Sequence, residues 1–212
     1  VLVEHPINKR RVASGKLAAN IILTRDAGSS LPKFYSLNEK YNVHFACLAD
    51  MPVERGIARL AGMNLVDLPP PSGSVRDDMR IRVKKLLENL PRYDCFYIHI
   101  KGPDEPGHDG DFYKKMEIIE LIDTYFFAEI LQNIDLKENV ICVTADHATP
   151  CELKAHSDDP VPLLISGGDV KPDGSSAFSE KACSKGSLGT ISRGTELIPL
   201  LMKTIKSVVN FS

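Results

Sequence analysis

Four runs rich in apolar residues limit most strongly how this chain can fold: "VHFACLAD" (43–50), "CFYIHI" (95–100), "VICVTA" (140–145) and "VPLLIS" (161–166). A strand with one wet face alternates apolar and polar residues, whereas a continuous apolar run suits a strand covered on both faces. Helical patterns separate the runs. "PVERGIARLAG" (52–62) is started by Pro52 and stopped by Gly62. "VRDDMRIRVKKLLENL" (75–90) places Met79, Val83, Leu86, Leu87 and Leu90 at helical spacing. "FYKKMEIIELIDTYFFAEILQNI" reads as one long helix with an apolar stripe. In "GTELIPLLMKTIKSV" (194–208), Pro199 either kinks a last helix or marks its start. "NLVDLP" (64–69) reads as a short strand ended by a "PPPSGS" loop. Such alternation predicts an α/β fold with a largely parallel sheet flanked by helices.

The first ~40 residues do not share this alternation and read as part of a separate module, or the tail of one. They hold one short apolar run, much basic charge and two glycine turns. With 26 basic against 28 acidic residues, the formal net charge is −2, which gives no general attraction to nucleic acid or to a membrane. No apolar run approaches the ~20 residues that cross a bilayer, and no signal peptide opens the chain. The five cysteines form no CxxC pair, so neither a zinc site built on thiolates nor a disulfide framework is expected, and Cys95 and Cys142 read as small core hydrophobes. A reducing cytoplasm is the expected setting. The abrupt start at Val1 suggests a fragment or a trimmed chain.

In open α/β sheets reactive groups gather at the carboxyl ends of strands. Three such places carry the same kind of side chain here. "CFYIHI" leads into a tight turn, "KGPDEPGHDG", with Asp104 and His108. "VICVTA" is followed by Asp146 and His147, and His156 stands just before "VPLLIS". A lone DxxxH turn reads as solvated surface, and a lone ADH as a cap beside a core histidine. Their joint appearance at successive strand ends argues for a metal site instead. Carboxylate and imidazole donors without thiolates suit Zn, Mn, Fe or Co. Across a Pro-Gly turn, Asp104 and His108 can grip one ion, while adjacent Asp146 and His147 in extended backbone can serve two neighbouring ions. Two close ions suit an in-line displacement at phosphorus. His5 and His44 lack such company and read as structural.

Three stretches carry a specific resemblance: "IHIKGPDEPGHDG", "VTADHATPCELKAHSDDPVPLLI" and "KGSLGTISRGTELIPLLMK". They resemble the C-terminal motifs of the archaeal-type cofactor-independent phosphoglycerate mutases, of the alkaline phosphatase superfamily. "HPINKRRVASGKLAANIILTRDAG" is similar, more weakly, to the late part of that family's inserted substrate-binding domain. The resemblance implies an inserted-domain remainder over residues 1–72 and an alkaline-phosphatase-like metal-binding domain over residues 73–212, with the "PPPSGS" linker where a hinge is expected. It implies two divalent metal ions (Mn, or Co, Zn or Mg). Asp104, His108 and His156 would hold the first, and Asp146 and His147 would take part in the second.

The implied activity interconverts 3-phosphoglycerate and 2-phosphoglycerate through a phosphoserine, with no bisphosphoglycerate cofactor. The nucleophilic serine is expected in an N-terminal segment outside this chain, so the chain by itself is expected to be inactive. Ser29 and Ser30 do not sit in the nucleophile's context. Arg25 is the first candidate for holding the small phosphoglycerate substrate, followed by Lys101 and by Arg10 or Arg11. Asp26 stands where the family pattern has a glycine. Another metal-dependent phosphatase, a phosphopentomutase or a sulfatase would share the same ligands. A non-catalytic metal-binding or assembly module would lack the serine altogether.

Overall fold

His5 and Pro6 begin the first helix, α1 (Pro6–Ala13): His5 Nδ1 accepts from the Ile7 amide, and Pro6 occupies the first turn, where its missing N–H is harmless. The structure, a computed structural model, describes residues 1–24 and 28–206. Two compact units are found, Val1–Lys33 and Phe34–Ser212. In the first, the buried Asn8 side chain donates to Leu2 O and accepts from the Ala19 amide, tying α1 to the irregular chain on both sides of it. Ile21, Ile22 and Leu23, the apolar run of this unit, are exposed coil and not a strand.

The second unit opens with α2 (Leu37–Tyr41), capped by Ser36 and ended by Asn42 in the left-handed region. β1 (Phe45–Leu48) follows and is buried along its whole length. Next come α3 (Pro52–Leu60), β2 (Asn64–Leu65), α4 (Val75–Asn89), which is capped by Ser74, and β3 (Cys95–Ile98). The three strands form a parallel sheet in the order β2-β1-β3, with Phe45 beside Cys95 and Leu48 beside Ile98. Both crossovers run through helices, as parallel neighbours require.

Successive residues of β1 face opposite sides of the sheet, and each side has its own cover. Ala46 and Leu48 pack with Met79, Val83 and Leu86 of α4 and with Phe126 and Ile130. Cys47 and Ala49 pack against Ala58 of α3. Phe45, on the α3 side, joins Val43 and Met202. Burying a side chain such as Leu48 contributes roughly 1.5–3 kcal/mol.

Beyond β3 lie α5 (Asp104–Asp109) and α6 (Phe112–Ile122), then a π-helical turn at Asp123–Phe127 and α7 (Ala128–Leu131). The single long helix expected here is therefore interrupted by a wider turn. Over that turn the Tyr125 ring lies beneath the Arg76 and Arg80 guanidinium groups. β4 (Val140–Val143) and β5 (Leu164–Gly167) form a separate antiparallel pair, half-buried where covered strands were expected. The connection between them has a turn at Pro150–Lys154 but no helix, so the chain doubles back on itself.

α8 (Glu180–Cys183) and α9 (Leu197–Lys206) complete the unit. Pro199 lies in the first turn of α9, so it marks a beginning and not a kink. Asp173 gathers the loop around α8 by accepting from the amides of Ser187 and Ser175, and these bonds hold its carboxyl well below the usual carboxylate range.

The expected boundary at 72/73 does not coincide with the compact units. β1 pairs with β3, so one sheet spans that position, and the prolines 69–71 run between β2 and α4 inside the second unit. Cys95 is half-buried against the Val43, Phe45 and Met202 cluster and Cys142 is half-buried in β4, burial pushing both thiols up to about 11. Among the described residues no helix is long and apolar enough to cross a membrane.

Candidate metal centre

The stretch expected as a tight turn is a short helix. Asp104 and Glu105 favour its N-terminus, and Gly110, at φ 76°, ends it in a conformation that costs glycine nothing. The four-residue spacing therefore puts Asp104 and His108 on one face, one turn apart. Asp104 Oδ1 lies 3.4 Å from His108 Nε2.

The other donors arrive on the loop between β4 and β5. Its turn at Pro150–Lys154 brings Ala148 beside Ser157 in an antiparallel bridge. Consequently the His147 ring stacks on His156, with centroids 3.7 Å apart. His156 Nε2 lies 3.6 Å from Asp104 Oδ1 and 3.2 Å from His108 Nε2. One donor atom each from Asp104, His108 and His156 falls within a 4.8 Å group. Four-coordinate ligands at ~2.0–2.1 Å from an ion sit ~3.3 Å from one another, and the three separations here match that edge.

Neighbouring groups orient these donors. His108 Nδ1 is 3.3 Å from the Lys154 carbonyl, which can only accept, so Nδ1 carries hydrogen and Nε2 is left as a lone pair in the neutral ring. Lys154 itself stands at φ 52°, a strained position for a residue with a side chain. Asp104 Oδ1 accepts from Thr149 Oγ1 at 2.9 Å, and Oδ2 is 3.5 Å from Lys101 Nζ. Burial alone would raise the Asp104 carboxyl. The Thr149 hydroxyl, then His108, Lys101 and His147, outweigh it and hold the group below its ordinary range.

Asp146 and His147 are present as a pair: Asp146 Oδ2 is 3.5 Å from His147 Nε2, and His147 Nδ1 is 3.1 Å from Thr149 Oγ1. Among the described residues they do not form a third-donor group of their own. Of the substrate-binding candidates, Lys101 borders the centre, whereas Arg10 and Arg11 lie in the last turn of α1, in the other unit. Arg25 lies outside the described residues. His5 caps α1, and His44 pairs with Asp94 across 3.1 Å. The sequence reading passed over two residues. His99, just past β3, faces Glu54 at 3.9 Å, and Thr149 is buried between Asp104 and His147. The position of Thr149, two residues beyond His147 in "DHAT", is the only signal the string offers for it.

Gly107 lets α5 press against the loop. A Cβ there would lie 2.6 Å from the Thr149 carbonyl oxygen, which is backbone and cannot swing away. Gly107→Ala is expected to lower stability by about 1–3 kcal/mol and to weaken divalent-ion binding, because α5 carries two of the three donors. A denaturant titration alongside a manganese titration checks both, and unchanged binding would mean that the helix position does not set the site.

A parallel sheet and an antiparallel pair that together bring carboxylate and imidazole donors to one place define a class, and the comparisons agree. The chain belongs to the metalloenzyme superfamily, whose model matches residues 4–204. Within that class its relatives bear out the resemblance read from the motifs. They include the 2,3-bisphosphoglycerate-independent phosphoglycerate mutase of Aeropyrum pernix, 42% identical over 94% of this chain and 47% of the relative. The mutase of Thermococcus kodakarensis is 38% identical over 95% of this chain and 49% of the relative. Among solved structures, the PH0037 protein from Pyrococcus horikoshii has a TM-score of 0.82 at 38% identity, covering 100% of this chain and 55% of that one. Cofactor-independent phosphoglycerate mutase from Thermoplasma acidophilum has a TM-score of 0.63 at 29% identity, covering 96% and 48%. The chain spans about half the length of these relatives.

Proposed function

We propose that this chain supplies the metal-binding half of an enzyme that interconverts 3-phosphoglycerate and 2-phosphoglycerate in the cytoplasm. The observation that carries this reading is the convergence of Asp104, His108 and His156 in a chain similar over nearly all its length to phosphoglycerate mutases. Asp104, His108 and His156 would hold one divalent ion, and Asp146 and His147 would contribute to a second. Bound there, such ions would lower the pKa of an attacking hydroxyl and offset charge on a phosphoryl group. Manganese is the proposed ion, with Co, Zn and Mg accepted by the same donors.

The rest of the chemistry falls to protein groups. A serine would take the phosphoryl group and return it to the other hydroxyl of the glycerate, with no bisphosphoglycerate required. That serine is proposed to lie in the half of the relatives' length that this chain does not span. Lys101, beside Asp104, is proposed to attract the substrate's phosphate or carboxylate to the centre, and Arg25, Arg10 and Arg11 are proposed as further substrate-binding residues. Closure over the substrate would keep water from hydrolysing the intermediate.

The test follows 3-phosphoglycerate and an aryl phosphate by phosphorus NMR with divalent manganese. The 212-residue chain is expected to bind the ion without converting either compound. A protein extended to the relatives' full length is expected to isomerise the phosphoglycerate. Release of inorganic phosphate from both compounds without isomerisation would replace the mutase reading with a phosphatase, and isomerisation by the 212-residue chain would refute the missing serine.

A further inference from the structure

We infer that Thr149 is a positioning residue that couples the two donor groups of the centre by fixing which nitrogen of His147 carries hydrogen. This rests on the reading of Asp146 and His147 as ligands of a second ion.

A threonine hydroxyl has one proton to donate. Oγ1 of Thr149 lies 2.9 Å from Asp104 Oδ1, and an ionised carboxylate only accepts, so that proton is committed to Asp104. The same oxygen lies 3.1 Å from His147 Nδ1. With its proton spent, the hydroxyl can only accept there, so Nδ1 carries hydrogen whether the ring is neutral or charged. In the neutral ring Nε2 is then a bare lone pair, 3.5 Å from Asp146 Oδ2. Two acceptors face each other with no proton between them, and a cation within reach of both removes their repulsion.

The threonine cannot easily abandon this role. It is 4% exposed, so no water competes for the hydroxyl. Its carbonyl accepts from Lys115 Nζ at 2.7 Å, and Gly107 packs against it. Asp104, a donor of the first group, is thereby linked through one hydroxyl to the ligand nitrogen of the second.

Long-range proton–nitrogen correlation NMR of the imidazoles, recorded without added metal, reads the His147 tautomer directly. The parent protein and Thr149→Ser are expected in the Nδ1–H form, and Thr149→Val mainly in the Nε2–H form. In parallel manganese titrations of the protein extended to the relatives' full length, Thr149→Val is expected to bind ~10–100-fold more weakly at the Asp146–His147 position, with Thr149→Ser restoring the affinity. A parent protein in the Nε2–H form overturns the inference, and so does Thr149→Val with an unchanged tautomer and unchanged affinity. Should Thr149→Val fail to fold, the parent tautomer and Thr149→Ser decide. Loss of the mutase reading would show as absent isomerisation and leave the tautomer result standing.

Discussion

Replacing His108 with alanine is expected to abolish ion binding at the Asp104–His108–His156 position while leaving the fold intact. Its Nε2 is one corner of a three-atom donor group whose separations are 3.2, 3.4 and 3.6 Å, so removing it leaves two donors for an ion that needs at least three. Affinity should fall by more than ~100-fold, beyond what loss of an orienting neighbour costs. The fold should survive because His108 is exposed on the surface of α5 and alanine is the best helix former. Manganese bound per chain, read by spin resonance alongside the circular dichroism spectrum, decides the matter. Equal ion content in variant and parent would remove His108 from the ligand set.

The second large effect concerns stability. Just beyond β1, the Asp50 carboxylate pairs with the Arg82 guanidinium of α4, whose side chain is only 7% exposed. Burial already lowers the Arg82 pKa, Nη1 reaches the Asp78 carbonyl at 3.3 Å, and Nε is buried with no hydrogen-bond partner among the described residues. A buried charge stripped of its counter-ion costs about 3–5 kcal/mol, so Asp50→Ala should lower the melting temperature by about 6 °C or more. Replacing both partners by apolar residues, Asp50→Leu with Arg82→Met, should recover most of the loss, since the pair itself brings little net stability. Thermal and urea unfolding of the single and double variants test this. A single variant within about 0.5 kcal/mol of the parent would show that Arg82 reaches water or another anion when Asp50 is gone.

The same residues show where sequence reading works and where it stops. β1 was legible because Phe45–Leu48 is buried on both faces, and a doubly covered strand has no choice but to be apolar throughout. "VICV" has the same look, yet β4 is half-buried and antiparallel to β5, because an apolar run records what a strand can bury and not which neighbour it meets. The candidate donors at 104, 108, 146, 147 and 156 could be picked out because carboxylates and imidazoles after apolar runs are chemically conspicuous. The helix between Asp104 and His108 was misread as a turn, since Pro106 and Gly107 are local breakers that α5 tolerates in one short turn closed by Gly110.

Local composition, then, determined the alternation of strands and helices, the donor types and the family, each of which depends on periodicity or on short motifs along the string. Only the tertiary structure decided that His156 meets Asp104 from 52 positions away, that His147 stacks on His156, and that Thr149 sits between the two donor groups. Such meetings depend on how the Pro150–Lys154 turn and the packing of Gly107 bring separate segments together. Hydrogen bonds between segments leave no periodic trace in a sequence, so a buried threonine in a loop looks the same there whether it holds a metal centre or nothing at all.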